Sequence, residues 1–493
     1  MTKPDRMTSF VATISLGAIT LFGALFPGSA EAVPGYARQT GLDCNSCHVG
    51  FNPVPLFTRT GRLFLLRGYT QPDSIQGDFR QTGFDSKGEE TPKYGGNYLS
   101  LNWKDFLSAR FVSSLVSDGA GVNGQDRPTT STIGSRIALF FTGPVTDWLG
   151  IWTEIGYIGN QALVSVSDPT AGNKTNKNYF AYDEIRLTAS WMVGEDDFFG
   201  FVAGNESPDA HTEFVFPLYQ LRPWGYGQGG VGNAFSTSTF TTYGFWNNRW
   251  LTQYSVSTGD MDASWSDGHN DYFALGYNGL PLTGDRFRRH GNDLWLMAEF
   301  MTGENQGSQV NPFKTSLLCP TDCPPGVSDR NLSITNSLGY QGETIADLAQ
   351  FNGTGFELVE DFDALRLAVH SIVADWGPHS WYQSVAYIRN EQDYISGASS
   401  ERSAIGYQIR YFYNRTYGVS LYANKDFSYD YKDAAGVNHE AYTHLNWGLG
   451  FLWAPAMNLN FLASYSPSHT TVLDRANYQD DGRSFSVTLD YLF

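Results

Sequence analysis

Five residues, Cys44-Asn45-Ser46-Cys47-His48, carry the densest chemistry in this chain of 493 residues. Two thiols separated by two residues can each form a thioether with one of the two vinyl groups of a single haem. The histidine directly after the second thiol then brings its imidazole beneath the iron. The spacing predicts one covalently attached c-type haem on Cys44 and Cys47, with His48 as the proximal ligand to the haem iron. A dithiol redox site would sit in a thioredoxin-like βαβ pattern, which is not visible around it. A zinc site would need a second Cys/His pair nearby. The other two of the four cysteines, Cys319 and Cys323, lie in a Pro- and Gly-rich stretch and read as a small loop disulfide.

The distal ligand is less evident. Residues 33–75 hold no Met and no second His; Met192, Met261, Met297, Met301 and Met457 all come later. Alternation of side chains along a strand sets His370 on one face with Arg366 and Ala368, and Leu365, Leu367 and Val369 on the other. His444 shares a face with Asn446. Each is a speculative distal ligand or an ordinary interior histidine, and the freed amine of Val33 is a further possibility. Arg38 and Arg62 could form bidentate bonds with haem propionates, or could make surface or wall contacts instead. Asp260, Asp262, Asp267 and Asp271, with His269 among them, offer hard oxygen ligands that attract Fe(II), or are simply a solvated acidic loop.

A segment as short as 33–75 cannot build a sufficient core, so it needs a neighbour to pack on. The rest of the chain supplies one. It is rich in aromatics and glycine (28 Tyr, 34 Phe, 13 Trp, 52 Gly) yet has a mean hydropathy of −0.31. That combination fits a membrane barrel, in which only alternate residues meet lipid. Period-two runs recur at Ile405-Tyr407-Ile409-Tyr411-Tyr413, Leu445-Trp447-Leu449-Phe451-Trp453, Leu459-Phe461-Ala463-Tyr465 and Phe485-Val487-Leu489-Tyr491-Phe493. Between them, long polar stretches (466–482, 428–440, 396–401 with its flanks, 303–362) alternate with short ones (454–456, 414–415, 376–379). Bacterial outer-membrane barrels have long outer loops and short periplasmic turns. A further long, Gly- and aromatic-rich loop over 206–233 could fold into the lumen. The fold class expected is all-β: an antiparallel transmembrane β-barrel of about 16 to 18 strands. The larger number takes the strand near 95–103 as the earliest clear one and adds one before it near 76–86; merging weak segments gives the smaller.

The N-terminus reads as an export signal: Lys3 and Arg6, an apolar stretch from Phe10 to Phe26, then Ala30-Glu31-Ala32 as the cleavage pattern. The organisation expected is a signal peptide over 1–32, a monohaem cytochrome c segment over 33–75 and a porin-like barrel over 76–493. A formal net charge of −18 argues against a nucleic-acid partner, whose phosphates it would repel.

The segment Tyr36-Ala37-Arg38-Gln39-Thr40-Gly41 before the C-x-x-C-H motif, followed by Gly61-Arg62, Phe64 and Gly68-Tyr69, resembles the fused monohaem cytochrome–porins that include outer-membrane iron oxidases. Thr60 and Leu65 stand where that family carries Phe and Lys. The resemblance covers roughly forty residues; beyond them it is one of architecture. It implies an electron-transfer protein of the outer membrane that oxidises extracellular Fe(II), an iron:cytochrome c oxidoreductase. A periplasmic c-type cytochrome or copper protein would be the acceptor, and the haem would sit on the periplasmic side or within the lumen. A redox conduit for another donor and a solute porin with a haem-bearing plug are the alternatives.

Overall fold

The computed structural model describes Tyr36, residues 47–50, 56–69, 83–84 and 90–91, Thr212, and the strands and tight turns between Leu107 and Leu492. Sixteen long strands close on themselves. They are β1 (Leu107–Val122), β2 (Thr130–Pro144), β3 (Leu149–Ile158), β4 (Tyr179–Met192), β5 (Phe198–Asn205), β6 (Ser238–Trp246), β7 (Trp250–Thr258) and β8 (His269–Asn278). They continue as β9 (Asn292–Glu304), β10 (Val359–Trp376), β11 (His379–Tyr394), β12 (Ser399–Tyr413), β13 (Tyr417–Lys432), β14 (Tyr442–Ala456), β15 (Leu459–Val472) and β16 (Tyr478–Leu492). Each pairs antiparallel with the next, and β16 pairs with β1, for example Leu489 opposite Ser113. Because β16 pairs directly with β1, no place remains for two more strands, so the count is the lower of the two expected. Near 76–86 the described structure is a two-residue ribbon, Gly83–Phe84 with Glu90–Thr91; 95–103 lies outside the described residues.

The period-two pattern does what a pleated strand requires. On β10, Leu367 and Val369 face outward and are 46% and 41% exposed, whereas Arg366, Ala368 and His370 face inward and are buried. On β14, Leu445, Trp447, Leu449 and Phe451 all face outward and exposed. An apolar outer face on a closed sheet, whose backbone groups are paired within the wall, is the condition for crossing lipid with strands. Among the described residues no helix is long and apolar enough to cross a membrane.

One barrel end, the turn end, is closed by short connections at 145–148, 193–197, 247–249, 377–378, 414–416 and 457–458, with 279–291 as a longer exception. Asn247 and Asn414 take positive φ there, a conformation that Asn tolerates better than most residues. The expected turn at 454–456 shifts to 457–458. Pro455 sits at the end of β14, where the register with β15 slips between Trp453 and Ala456, a position that suits a residue with no N–H to give. At the opposite, loop end, several stretches expected as long loops are largely strand. β15 continues to Val472, β13 to Lys432, and only 395–398 separates β11 from β12. Past the apolar band both faces of a strand meet water, so alternation disappears while backbone pairing continues. The longest connection runs over 305–358, somewhat shorter than expected. Cys319 and Cys323 fall there, outside the described residues, as does the export signal.

Candidate haem-bearing plug

The N-terminal unit sits inside this barrel, at the turn end. Its centre is a single helix, α1 (Arg59–Leu66), capped by Thr58, whose hydroxyl accepts the Gly61 N–H at 3.2 Å. The helix ends in a Schellman arrangement: Tyr69 N–H to Phe64 O at 2.9 Å and Gly68 N–H to Leu65 O at 3.1 Å, with Gly68 at φ +66°. The Gly68-Tyr69 pair is thus the helix terminator. Phe64, Leu65, Leu66 and Tyr69 are buried and share one cluster with wall residues including Phe198, Tyr243, Phe245 and Trp295. The last turn of the helix, Leu63–Leu66, is apolar on every side and needs such an enclosure.

His48 lies in a short ribbon, His48–Gly50 with Leu56–Phe57. Its ring is half-buried and 5.0 Å from that of Phe57, centroid to centroid. The Cys47 carbonyl accepts the Thr58 N–H at 2.8 Å, so the end of the C-x-x-C-H motif is fastened to the start of α1. Gly61 makes this possible, since a Cβ there would run into the Cys47 carbonyl oxygen. Cys47 and His48 are both half-buried on one side of α1. The donor set, a thiol followed by an imidazole braced by an aromatic ring, fits a haem bound through thioethers. Cys44 and Arg38 lie outside the described residues.

Arg62, next to Gly61, resolves toward the wall. Its guanidinium donates to the Phe57 carbonyl at 3.2 Å and pairs with the Asp293 carboxylate of β9; the two side chains are 5% and 0% exposed. Of the two uses that sequence allowed for Arg62, the structure displays wall contact. Tyr243 of β6 donates its hydroxyl to the Leu66 carbonyl at the other end of α1. The Gly68 carbonyl lies against Gly150 of β3 so closely that a Cβ on Gly150 would overlap it. Tyr36 stacks on Tyr69 at 5.0 Å and lies 6.1 Å from Trp152 of β3. Burial among these rings pushes its phenol well above the ordinary range, so it stays neutral. Sequence reasoning missed Asp293, Tyr243 and Gly150. Alternation with Trp295 is the signal that could have set Asp293 on the inward face, but nothing local names its partner.

His370 lies opposite Trp295 in the register, one inward step from Ile372, which lies opposite Asp293. It is therefore on the plug's side of the barrel. Its ring is fully enclosed by protein, with Nδ1 2.9 Å from the Tyr382 hydroxyl. Two inward steps further from the turn end, Arg366 binds Glu299 (Nε to Oε1 2.9 Å), which also accepts the Tyr272 hydroxyl at 2.7 Å. His444 is opposite Thr470, near the loop end of β14, and so far along the barrel axis from α1. Met297 and Met301 are buried on the inward face of β9, and the Met192 sulfur accepts from Arg67 at 2.9 Å. Of the acidic loop residues, Asp271 is on β8, 3.2 Å from His269 and accepting the Tyr254 hydroxyl at 2.6 Å; Asp260, Asp262 and Asp267 are outside the described residues. No metal-ligating group of three or more side chains occurs among the described residues. In the 206–233 loop, Thr212 is buried and donates to the inward-facing Gln253 at 2.5 Å, so at that residue the loop reaches the lumen wall.

No family model matches the chain, and no curated protein matches it. Among solved structures it is similar to OmpF of Salmonella typhi in complex with daunomycin, at 11% identity over 78% of this chain and 97% of that one, TM-score 0.45. It is similar to a loop-deleted OmpT of Vibrio cholerae, at 12% identity over 79% and 100%, TM-score 0.44. It is also similar to an anion-selective porin from Comamonas acidovorans, at 10% identity over 78% and 100%, TM-score 0.40.

Proposed function

We propose that this chain is an outer-membrane electron-transfer protein in which one c-type haem, held at the periplasmic mouth of a barrel, takes electrons from extracellular Fe(II) and passes them to a periplasmic c-type cytochrome or copper protein. One observation carries the reading. The segment bearing the C-x-x-C-H motif is fastened inside the barrel by the buried Arg62–Asp293 pair rather than hanging from it. When bound, the haem supplies a one-electron iron couple. The chain's own residues do the rest. Thr58 and Gly61 hold the Cys47 backbone against α1, Phe57 braces the His48 ring, and Tyr36, Phe64, Tyr69 and Trp152 form a dry aromatic packing between helix and wall.

The apolar band of such a barrel is about 25 Å tall, and lipid around it insulates. A redox group seated within the wall shortens the gap that electrons must cross. The short turns mark the periplasmic end in barrels of this type, so α1 and its motif face the periplasm while 305–358 faces out. The donor rests on the resemblance of the N-terminal forty residues to the iron-oxidising cytochrome–porins.

The test is anaerobic addition of Fe(II) to the purified, oxidised protein while the haem absorption band is followed. Reduction is expected at a pH where the iron couple allows it. A band that stays oxidised under Fe(II) but responds to dithionite would remove iron as the direct donor.

A further inference from the structure

The plug occupies one side of the barrel only. From β5 to β12 the inward side chains are buried almost without exception, including Ser257, Asn270, Met301 and Arg366 at 0%. On β1, β13, β15 and β16 the inward positions 112–116, 420–424, 462–466 and 484–488 are all half-exposed. These strands adjoin through the seam, with only β14 among them. On β14 the inward residues Gly448 and Gly450 are buried, covered by Tyr422 and by Ser420 and Leu462 from the strands on either side. Water therefore reaches wall side chains on both sides of β14, beside the plug.

Hydroxyls dominate the strip, with Val112, Val116 and Leu462 as its aliphatic members. Ser114 pairs with Thr488 at 2.9 Å and Ser464 with Ser486 at 2.6 Å, each pair spanning two strands. Ser420 and Asn424 continue the polar lining on β13. A hydroxyl has one proton and two lone pairs, so each paired hydroxyl keeps acceptor capacity toward the lumen. No inward position in those four runs carries a charge. At the turn end Arg110 holds Asp490 in a bidentate pair at 2.9 and 2.8 Å and the two cancel; Arg410 of β12, opposite Ser420, also faces inward but is buried at 5%.

We infer that the barrel keeps an uncharged, hydroxyl-lined lane past its plug, which admits small neutral polyhydroxylated solutes with little preference between cations and anions. A wall of serines and threonines replaces part of the hydration of a sugar-like solute. With no fixed charge it offers no field to select an ion.

Liposome swelling tests this. The haem-loaded full-length protein is reconstituted and challenged with iso-osmotic glycerol and arabinose; folding is checked by heat-modifiable migration on gels. Swelling severalfold faster than in protein-free liposomes is expected for the wild type. Most of that increment should be lost in Ser486→Trp, which fills the lane from the middle of β16. Single-channel reversal potentials in a salt gradient should lie near zero. Swelling no faster than in empty liposomes, from correctly folded protein, would overturn the lane. So would equal rates in wild type and folded Ser486→Trp, which would put the pathway elsewhere. A strongly ion-selective reversal potential would overturn the uncharged lining. The Cys44→Ala/Cys47→Ala protein should swell like wild type, so failure of the lane and failure of the electron-transfer reading give different results.

Discussion

Two arcs of the same wall, β5–β12 and the group around the β16–β1 seam, show lipid the same face and the lumen very different ones. Leu367 on the first and Leu449 on the second are 46% and 50% exposed to the outside. Inside, the first arc carries Asp293, Glu299, Arg366 and His370 at 1% exposure or less, and the second carries mostly hydroxyls and glycine. Burying an unpaired charge costs several kcal/mol. The sealed arc can hold its charges because Arg62 answers Asp293, and Arg366 and Tyr272 answer Glu299. The difference teaches that inward charge in this barrel belongs to docking and packing, and that the water-facing side has been left neutral.

The comparison breaks most completely if the plug loses its chemistry. Replacing both Cys44 and Cys47 by Ala is expected to abolish haem stain on denaturing gels while the barrel still migrates as a folded, heat-modifiable species. Full stain in the double variant would refute covalent attachment at this motif. Next in size is Asp293→Ala, which leaves the Arg62 guanidinium buried without its counter-charge, at a cost of about 3–5 kcal/mol. The plug should then undock, so that trypsin applied from the periplasmic side cleaves within 59–67. A Arg62→Met/Asp293→Leu double variant should regain much of the protection, because an apolar pair of similar volume often replaces a buried ion pair without loss. Equal resistance in wild type and Asp293→Ala would show that the pair does not hold the plug.

Tyr243→Phe should act in the same direction but less, by about 1–3 kcal/mol, since it strands the Leu66 carbonyl in a buried place. The same trypsin assay reads it, and sensitivity above that of Asp293→Ala would reverse the ranking. The smallest effect belongs to the outer rim. Arg389 bridges Glu391 at 2.5 Å and Glu401 at 3.0 Å, with all three side chains about half exposed. Arg389→Ala should change the unfolding midpoint by no more than about 1 kcal/mol equivalent and leave plug protection untouched. A changed cleavage pattern at α1 would mean that the two barrel ends communicate.

Much of this was legible in the sequence because it is local. Alternation set Leu445 through Phe451 outward and His370 inward, and the structure agrees on both. The C-x-x-C-H spacing singles out Cys44, Cys47 and His48 as a haem site for the stain experiment to test, and the match at Gly61-Arg62 and Gly68-Tyr69 marked residues that prove to brace and end α1. What escaped is what depends on distant partners or on water. Strand ends were underestimated at the loop end, where polar residues on both faces hide a strand that still pairs. The strand count was uncertain because closure is a relation between β1 and β16, at opposite ends of the sequence. Arg62 kept two readings because Asp293 lies a whole half-barrel further along the chain.

The β16–β1 seam has a consequence for the order of assembly. It joins the first barrel strand to the last, so the enclosure around α1 is complete only when the final strand has been delivered. The strands that touch α1, from β3 to β9, are all made earlier. The N-terminal unit can therefore lay itself on an open, curved sheet and be wrapped as the seam zips. On the proposed reading, a haem would be attached to Cys44 and Cys47 while they are still reachable by another protein, before that wrapping ends. The position of the seam would make such an attachment an early event and barrel closure the late one.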